Sequence, residues 1–190
     1  MAEFVKAYEK TLKVEGGYVN HQADKGGETY KGIARAYWPL WSGWVIIDQY
    51  KESTNFPKNI KDTELDIYVQ KFYKENFWDK MSLTSIKDQD IAEEVFDTAV
   101  NMGTVTAIKM LQRACNLLNS NGKLYKELEI DGKIGSNTIG VVNGHPHPKT
   151  LFNLLNILQG ARYVELATNS PSQEVFMRGW LNTRVITRGT

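Results

Sequence analysis

A chain of 190 residues, 42% hydrophobic and 24% charged, can bury a sizeable core without disulfide or metal staples. Its formal net charge of +1 and the lack of any Lys/Arg run exclude a field that draws nucleic acid. One cysteine, Cys115, excludes an intrachain disulfide, and the stretch "AYWPLWSGWVII" is broken by Pro39, Ser42 and Gly43 and is too short to span a bilayer.

In chain order, "MAEFVKAYEK" brings charge too early for a signal peptide and has no apolar core. The expectation is synthesis in the cytoplasm without a signal peptide. Phe4, Tyr8, Leu12 and Glu15 recur at helical spacing, and Gly16-Gly17 supplies a stop. A polar, Gly-rich loop follows, then an aromatic-rich segment from about Ile33 to Ile47. Thr63-Glu64-Leu65-Asp66 reads as a helix start, with Leu65, Val69, Phe72 and Tyr73 inward. Asp90 is expected to open a helix whose Ile91, Val95, Ala99 and Met102 point one way and which Gly103 ends. Thr104 is expected to cap the next, with Ile108, Leu111, Cys115 and Leu118 in register, so Cys115 reads as a packed core thiol.

"NSNGKLYKELEIDGKIGSNTIG" is rich in Asn and Gly and holds a short hairpin or only loops; Asp131-Gly132 reads as a turn and Ser136 as the cap of a short helix. His145 and His147 alternate with Pro146 and Pro148 as a rigid turn, and no histidine has a thiolate partner at zinc spacing. "TLFNLLNILQGARYVELA" is the longest helical pattern, and Phe176, Trp180 and Leu181 suggest a last short helix. The expected fold is mainly α with little strand.

The chemistry concentrates in "EGGYVNHQADKGGETYKG", residues 15–32. A glutamate ending an apolar stripe is costly if ionised and dry, and burial raises its pKa. A carboxylic acid that keeps its proton near neutral pH is what a general acid needs, and protonating the leaving oxygen of a glycosidic bond is a natural use. Glycines at 16, 17, 26 and 27 let the backbone turn tightly and a bulky substrate approach. Asp24 is a second carboxylate, suited to act as base or charge stabiliser, and Thr29 is suited to orient a water. On spacing alone the plainer reading also holds: an exposed helix end, a turn former and a loop hydroxyl.

These residues resemble the signature of glycoside hydrolase family 108, peptidoglycan N-acetylmuramidases of phages and Gram-negative bacteria. The match runs through Glu15, Gly16, Gly17, Tyr18, Asp24, Gly26, Gly27, Thr29, Gly32 and Ile33. "FDTAVNMG" at 96–103 is similar to a family helix, and "LQRACNLL" with "IDGKIGSNTI" to the peptidoglycan-binding-like segment that follows the catalytic part. "FMRGWLNTRV" resembles the family's ending, with Thr183 intruding before Arg184; some members carry the label "secretion activator protein".

The resemblance implies a lysozyme-like helical fold, with a catalytic part over 1–103 and a helical peptidoglycan-binding-like part over 104–190 packed as one compact unit. It implies cleavage of the MurNAc–GlcNAc β-1,4 bond with Glu15 as the acid, Asp24 or Thr29 handling the water, and no metal or organic cofactor. Tyr18, Tyr30, Trp41 and Asn101 are the expected substrate-binding residues, because aromatic planes pack on the apolar faces of sugars. Asn101 and Asp97, four apart on one helix face, are placed either to hydrogen-bond substrate or to brace the loop, with bracing the favoured role. The expected partners are peptidoglycan glycan strands bound by a monomer that does not insert in a membrane. The expected site of action is the cell wall or periplasm after release. Two settings stay open: a phage lysis role, in which a holin-like membrane partner grants access, and a host remodelling role. A different class of function, a non-catalytic cell-wall-binding or secretion-accessory protein keeping the fold, is disfavoured by the intact Glu15 and glycine framework.

Overall fold

The computed structural model describes residues 1–12, 17–20, 27–58, 60 and 62–185. Chain order is α1 (Phe4–Leu12), β1 (Tyr18–Asn20), β2 (Glu28–Tyr30), β3 (Ile33–Ala34), α2 (Gly43–Lys51), α3 (Thr63–Tyr73), α4 (Gln89–Met102), α5 (Thr104–Leu117), α6 (Ser136–Gly144), α7 (Pro148–Asn169) and α8 (Glu174–Trp180). π-helical turns follow α3 at Lys74–Asp79 and α8 at Leu181–Val185. The fold is mainly α. The chain forms two compact units, one of Tyr8–Asn76 and one of Met1–Ala7 with Phe77–Thr190.

In the unit Tyr8–Asn76, the segment expected to be a polar loop supplies β1 and β2, and the start of the aromatic-rich segment β3, of a three-stranded antiparallel sheet in the order β1-β2-β3. Strands of two or three residues are too short to show a period-two pattern, so the sequence does not announce them. β2 and β3 are joined by Lys31 and Gly32, both at positive φ (42° and 80°), as the favoured two-residue hairpin turn requires. α3 begins with Asp62 as its cap, whose side chain accepts from the Leu65 amide at 2.9 Å, one residue ahead of the expected start. Its inward residues are Leu65, Val69, Phe72 and Tyr73, as the spacing predicts. The Tyr73 hydroxyl donates to the Lys31 carbonyl at 2.7 Å and ties α3 to the hairpin turn.

In the other unit, α4 departs from the one-sided helix expected. Every residue from Ile91 to Ala99 is buried, including Glu93, Glu94, Asp97 and Thr98. The reason is that α5 and α7 both pack on it while Phe96 also meets Phe4 edge-to-face at 5.9 Å. Its cap is Asp88, accepting from Ile91 N at 3.0 Å, and Asp90 sits in the first turn. Gly103, at φ 87°, ends α4 and stands at the N-cap of α5, so Thr104 is the first helical residue and caps nothing.

The Asn/Gly-rich segment after α5 is irregular rather than a hairpin, and α5 supplies its hydrogen bonds. Gln112 and Asn116 lie on one face of α5, at i and i+4, and Asn119 stands two residues past its end. Gln112 donates to the Lys133 carbonyl and the Asp131 carboxylate and accepts from Gly132 N. Asn116 both donates to and accepts from the Leu128 backbone, and Asn119 does the same for Tyr125. The amides thus satisfy backbone groups that a strand partner would otherwise meet. Cys115, on the neighbouring face, is buried, and burial pushes its thiol up to about 12, which leaves it unreactive.

Asp97, fully buried, is the polar centre of this unit. It accepts from Gln159 Nε2 on α7 and from Arg184 Nη1 beyond α8, each at 2.8 Å. One carboxylate therefore joins α4, α7 and the C-terminal turn. Truncation removes the carboxylate from a largely buried ion pair and from a buried hydrogen bond, which costs about 3–5 kcal/mol. Asp97→Ala is expected to lower the urea-unfolding free energy by about that amount; an unchanged midpoint would remove Asp97 from this role.

Candidate active site

Three residues after Glu15 the chain enters β1, and four after Asp24 it enters β2. Glu15 and Asp24 themselves lie outside the described residues. What the structure describes is the sheet that follows each of them.

Strand register decides which side chains share a face. Val19 pairs with Thr29 and Thr29 with Ala34, while Tyr18 pairs with Tyr30 and Tyr30 with Ile33. Side chains of cross-strand partners point the same way. Tyr30 and Ile33 are buried, so theirs is the core face. Val19 is 49% exposed, so Thr29 lies on the open face of the sheet, half-buried. Its hydroxyl donates to the Gly27 carbonyl at 3.3 Å, which leaves the oxygen lone pairs as acceptors.

The aromatic residues divide by depth. Tyr18 stands half-buried with its ring edge-to-face on Phe56 at 4.5 Å. Tyr30 is only 4% exposed and stacks on Trp41, centroids 6.4 Å apart. Burial, reinforced by the charges of Asp66 and Asp62, pushes the Tyr30 phenol up to about 12, so it stays neutral. Tyr30 shapes a wall from behind, and Trp41 is the more accessible of the pair. Asn101 belongs to the other unit, at the end of α4; it is exposed and donates to the Asp97 carbonyl of its own helix at 2.7 Å.

Beneath the sheet lies an alternating charge network that the sequence reading did not find. Arg35 forks onto both oxygens of Asp48 at 2.7 and 2.6 Å and reaches Glu28 at 2.9 Å. Lys51 completes the ring, pairing with Asp48 and Glu28. Hydrogen bonds from Arg35 and then Lys51 hold the Asp48 carboxyl far below the usual range. Burial works to raise Glu28, but its bonds to Lys51 and Arg35 outweigh that and leave it lowered. Glu28 is the residue next to Thr29, so the network anchors β2 to α2. The only sequence signals are Asp48 and Lys51 at i,i+3, and Glu28 and Arg35 flanking the hairpin turn.

Residues 8–103 match the family model described as "Glycosyl hydrolase 108", and residues 106–185 match one described as "Predicted Peptidoglycan domain". Among solved structures, the chain is similar to one titled "Structure of Brucella abortus SagA", with 26% identity and a TM-score of 0.64 over 97% of this chain and 91% of that one. No curated protein matches.

The ion network makes the unit Tyr8–Asn76 sensitive to acid. Carboxyls lowered by folding stabilise above their unfolded pKa, about 4, and that contribution is lost as pH falls through the folded values. The urea midpoint is expected to hold between pH 7 and about 5 and to fall below about 4. Glu28→Gln is expected to cost about 1.5–3 kcal/mol at pH 7 and to shrink the acid-induced loss. An acid-induced loss identical to wild type would show that Glu28 is not part of it.

Proposed function

The chain belongs to the glycosyl hydrolase 108 family, and from that premise we propose that it is a peptidoglycan N-acetylmuramidase, with Glu15 as the general acid that protonates the leaving oxygen of the MurNAc–GlcNAc β-1,4 bond. The observation that carries this reading is the family match across residues 8–103, continued over 106–185 by the peptidoglycan domain. Family membership makes the chain a glycoside hydrolase acting on peptidoglycan; the bond and the acid are the proposal.

In this mechanism Glu15 delivers its proton as the C–O bond breaks, and a water attacks the anomeric carbon. Thr29 positions that water through the free lone pairs of its oxygen, because its own proton is committed to Gly27. The rigid register on either side of Thr29 keeps that acceptor in place. Asp24 serves as the second carboxylate, stabilising the oxocarbenium-like charge or taking the proton of the water. Tyr18 and Trp41 offer aromatic faces to sugar rings, with Tyr30 supporting Trp41 from beneath. The part over 104–190 adds affinity for the wall, and the chain acts on the wall after its release from the cytoplasm, in a phage setting through a holin-like partner.

A general acid contributes about 10²–10⁴-fold to such a reaction. Glu15→Gln is therefore expected to lower turnover of purified sacculi by about that factor while leaving sacculus binding intact. Near-normal release of soluble muropeptides by Glu15→Gln would reject Glu15 as the acid.

A further inference from the structure

An open cavity of about 420 Å³ lies within the unit Tyr8–Asn76, between the loop 37–42 and the outer face of α3. The cleavage chemistry proposed above makes no use of Trp38, Asn76 or Lys71, which line it. We propose that this cavity is a saccharide subsite that takes one uncharged N-acetylhexosamine of a glycan strand, its ring laid against Trp38.

The apolar wall is exposed yet rigid. Trp38 is 40% exposed, Tyr37 68% and Leu40 96%, a concentration of open apolar surface on one short loop. Collapse of that loop would hide it, and the structure prevents collapse at several points. The Trp38 ring is braced edge-to-face on Phe72 at 4.8 Å, and its carbonyl accepts from the Trp44 indole at 2.8 Å. The Trp41 indole donates to the Tyr68 carbonyl at 3.4 Å. Backbone bonds from Tyr37 and Trp38 to Ala34, and from Trp41 to Trp38, lock the intervening turns. Gly43 is required as well, since a Cβ there would stand 2.3 Å from the nearest carbon of the Trp41 ring. An aromatic platform held open in this way binds without the cost of ordering itself.

The rim specifies what lies on the platform. Asn76 commits one amide N–H to the Phe72 carbonyl at 2.9 Å, which leaves Oδ1 available as an acceptor for an acetamido N–H. Ser42, exposed and lining the cavity, makes no capping bond at the start of α2, which leaves its hydroxyl available to a ligand. Lys71 and Glu75 approach within 3.9 Å and offset each other, so the rim carries no net charge. A neutral rim of donors and acceptors around an aromatic floor complements a neutral ring with one apolar face and an equatorial amide. The volume falls in the range of about 300–1,000 Å³ of small-ligand sites. A proline-rich peptide also packs on aromatic floors but offers no N–H to Asn76 at its prolines.

That the sugar belongs to peptidoglycan rests on the proposed function; the preference for a neutral N-acetylhexosamine rests on the cavity. The test is calorimetric titration of the full chain with soluble β-1,4 N-acetylglucosamine tetramer, all variants carrying Glu15→Gln to suppress turnover. Trp38→Ala is expected to weaken binding about tenfold or more, and Asn76→Ala severalfold, with thermal midpoints close to the parent. Asn76→Ala leaves the loop untouched, so it keeps the test valid if Trp38→Ala unfolds. Tetramer affinity unchanged in Asn76→Ala and in any folded Trp38→Ala would overturn the subsite. So would a parent that binds no tetramer, or one that binds a proline-rich decapeptide in its place. Tetramer binding through Trp38 by a chain that releases no reducing ends from sacculi would defeat the muramidase reading and leave the subsite standing.

Discussion

The fork of Arg35 onto Asp48 and Glu28 is the interaction on which the described part of the site depends. It joins β2 to α2 across the intervening hairpin and loop, and Lys51 closes the ring. Because Glu28 and Thr29 are neighbours on β2, the same pairing fixes the strand that presents the Thr29 hydroxyl. The guanidinium also lies over the Trp44 ring at 5.1 Å, and the Trp44 indole in turn holds the Trp38 carbonyl. One cation therefore supports both the open sheet face and the aromatic loop. Such partly buried charge pairs are individually modest in net energy, and their value here is positional.

The unit Met1–Ala7 with Phe77–Thr190 uses the same device differently. There a single buried carboxylate, Asp97, is met from two other segments, and three side-chain amides, two on α5 and Asn119 just past its end, take over the hydrogen bonding of an irregular segment. The two family models meet inside this unit, at the Gly103 turn between α4 and α5. Helices of both matches thus share one core.

Helices with a one-sided apolar stripe were legible from sequence: α3 and α5 follow their spacing, α7 forms where the longest helical pattern runs, and Cys115 is the core thiol that its register predicts. α4 was legible as a helix but not as a fully enclosed one, because Glu93, Glu94 and Asp97 read as a polar face until their surroundings are known. The sheet escaped because its strands are shorter than any period can reveal. The charge network escaped because Arg35, Asp48 and Lys51 become neighbours of Glu28 only once the hairpin and α2 are formed. Of the candidate site, the motif over residues 15–32 and the family were legible; which face of β2 carries Thr29, and that Tyr30 lies beneath Trp41, were not.

The central claim concerns which bond is broken. It is tested most directly by digesting purified peptidoglycan with the wild-type chain, reducing the products with borohydride and identifying the reduced sugar. The account predicts that new ends appear as muramitol. Glucosaminitol ends, or no new reducing ends at all, would contradict it.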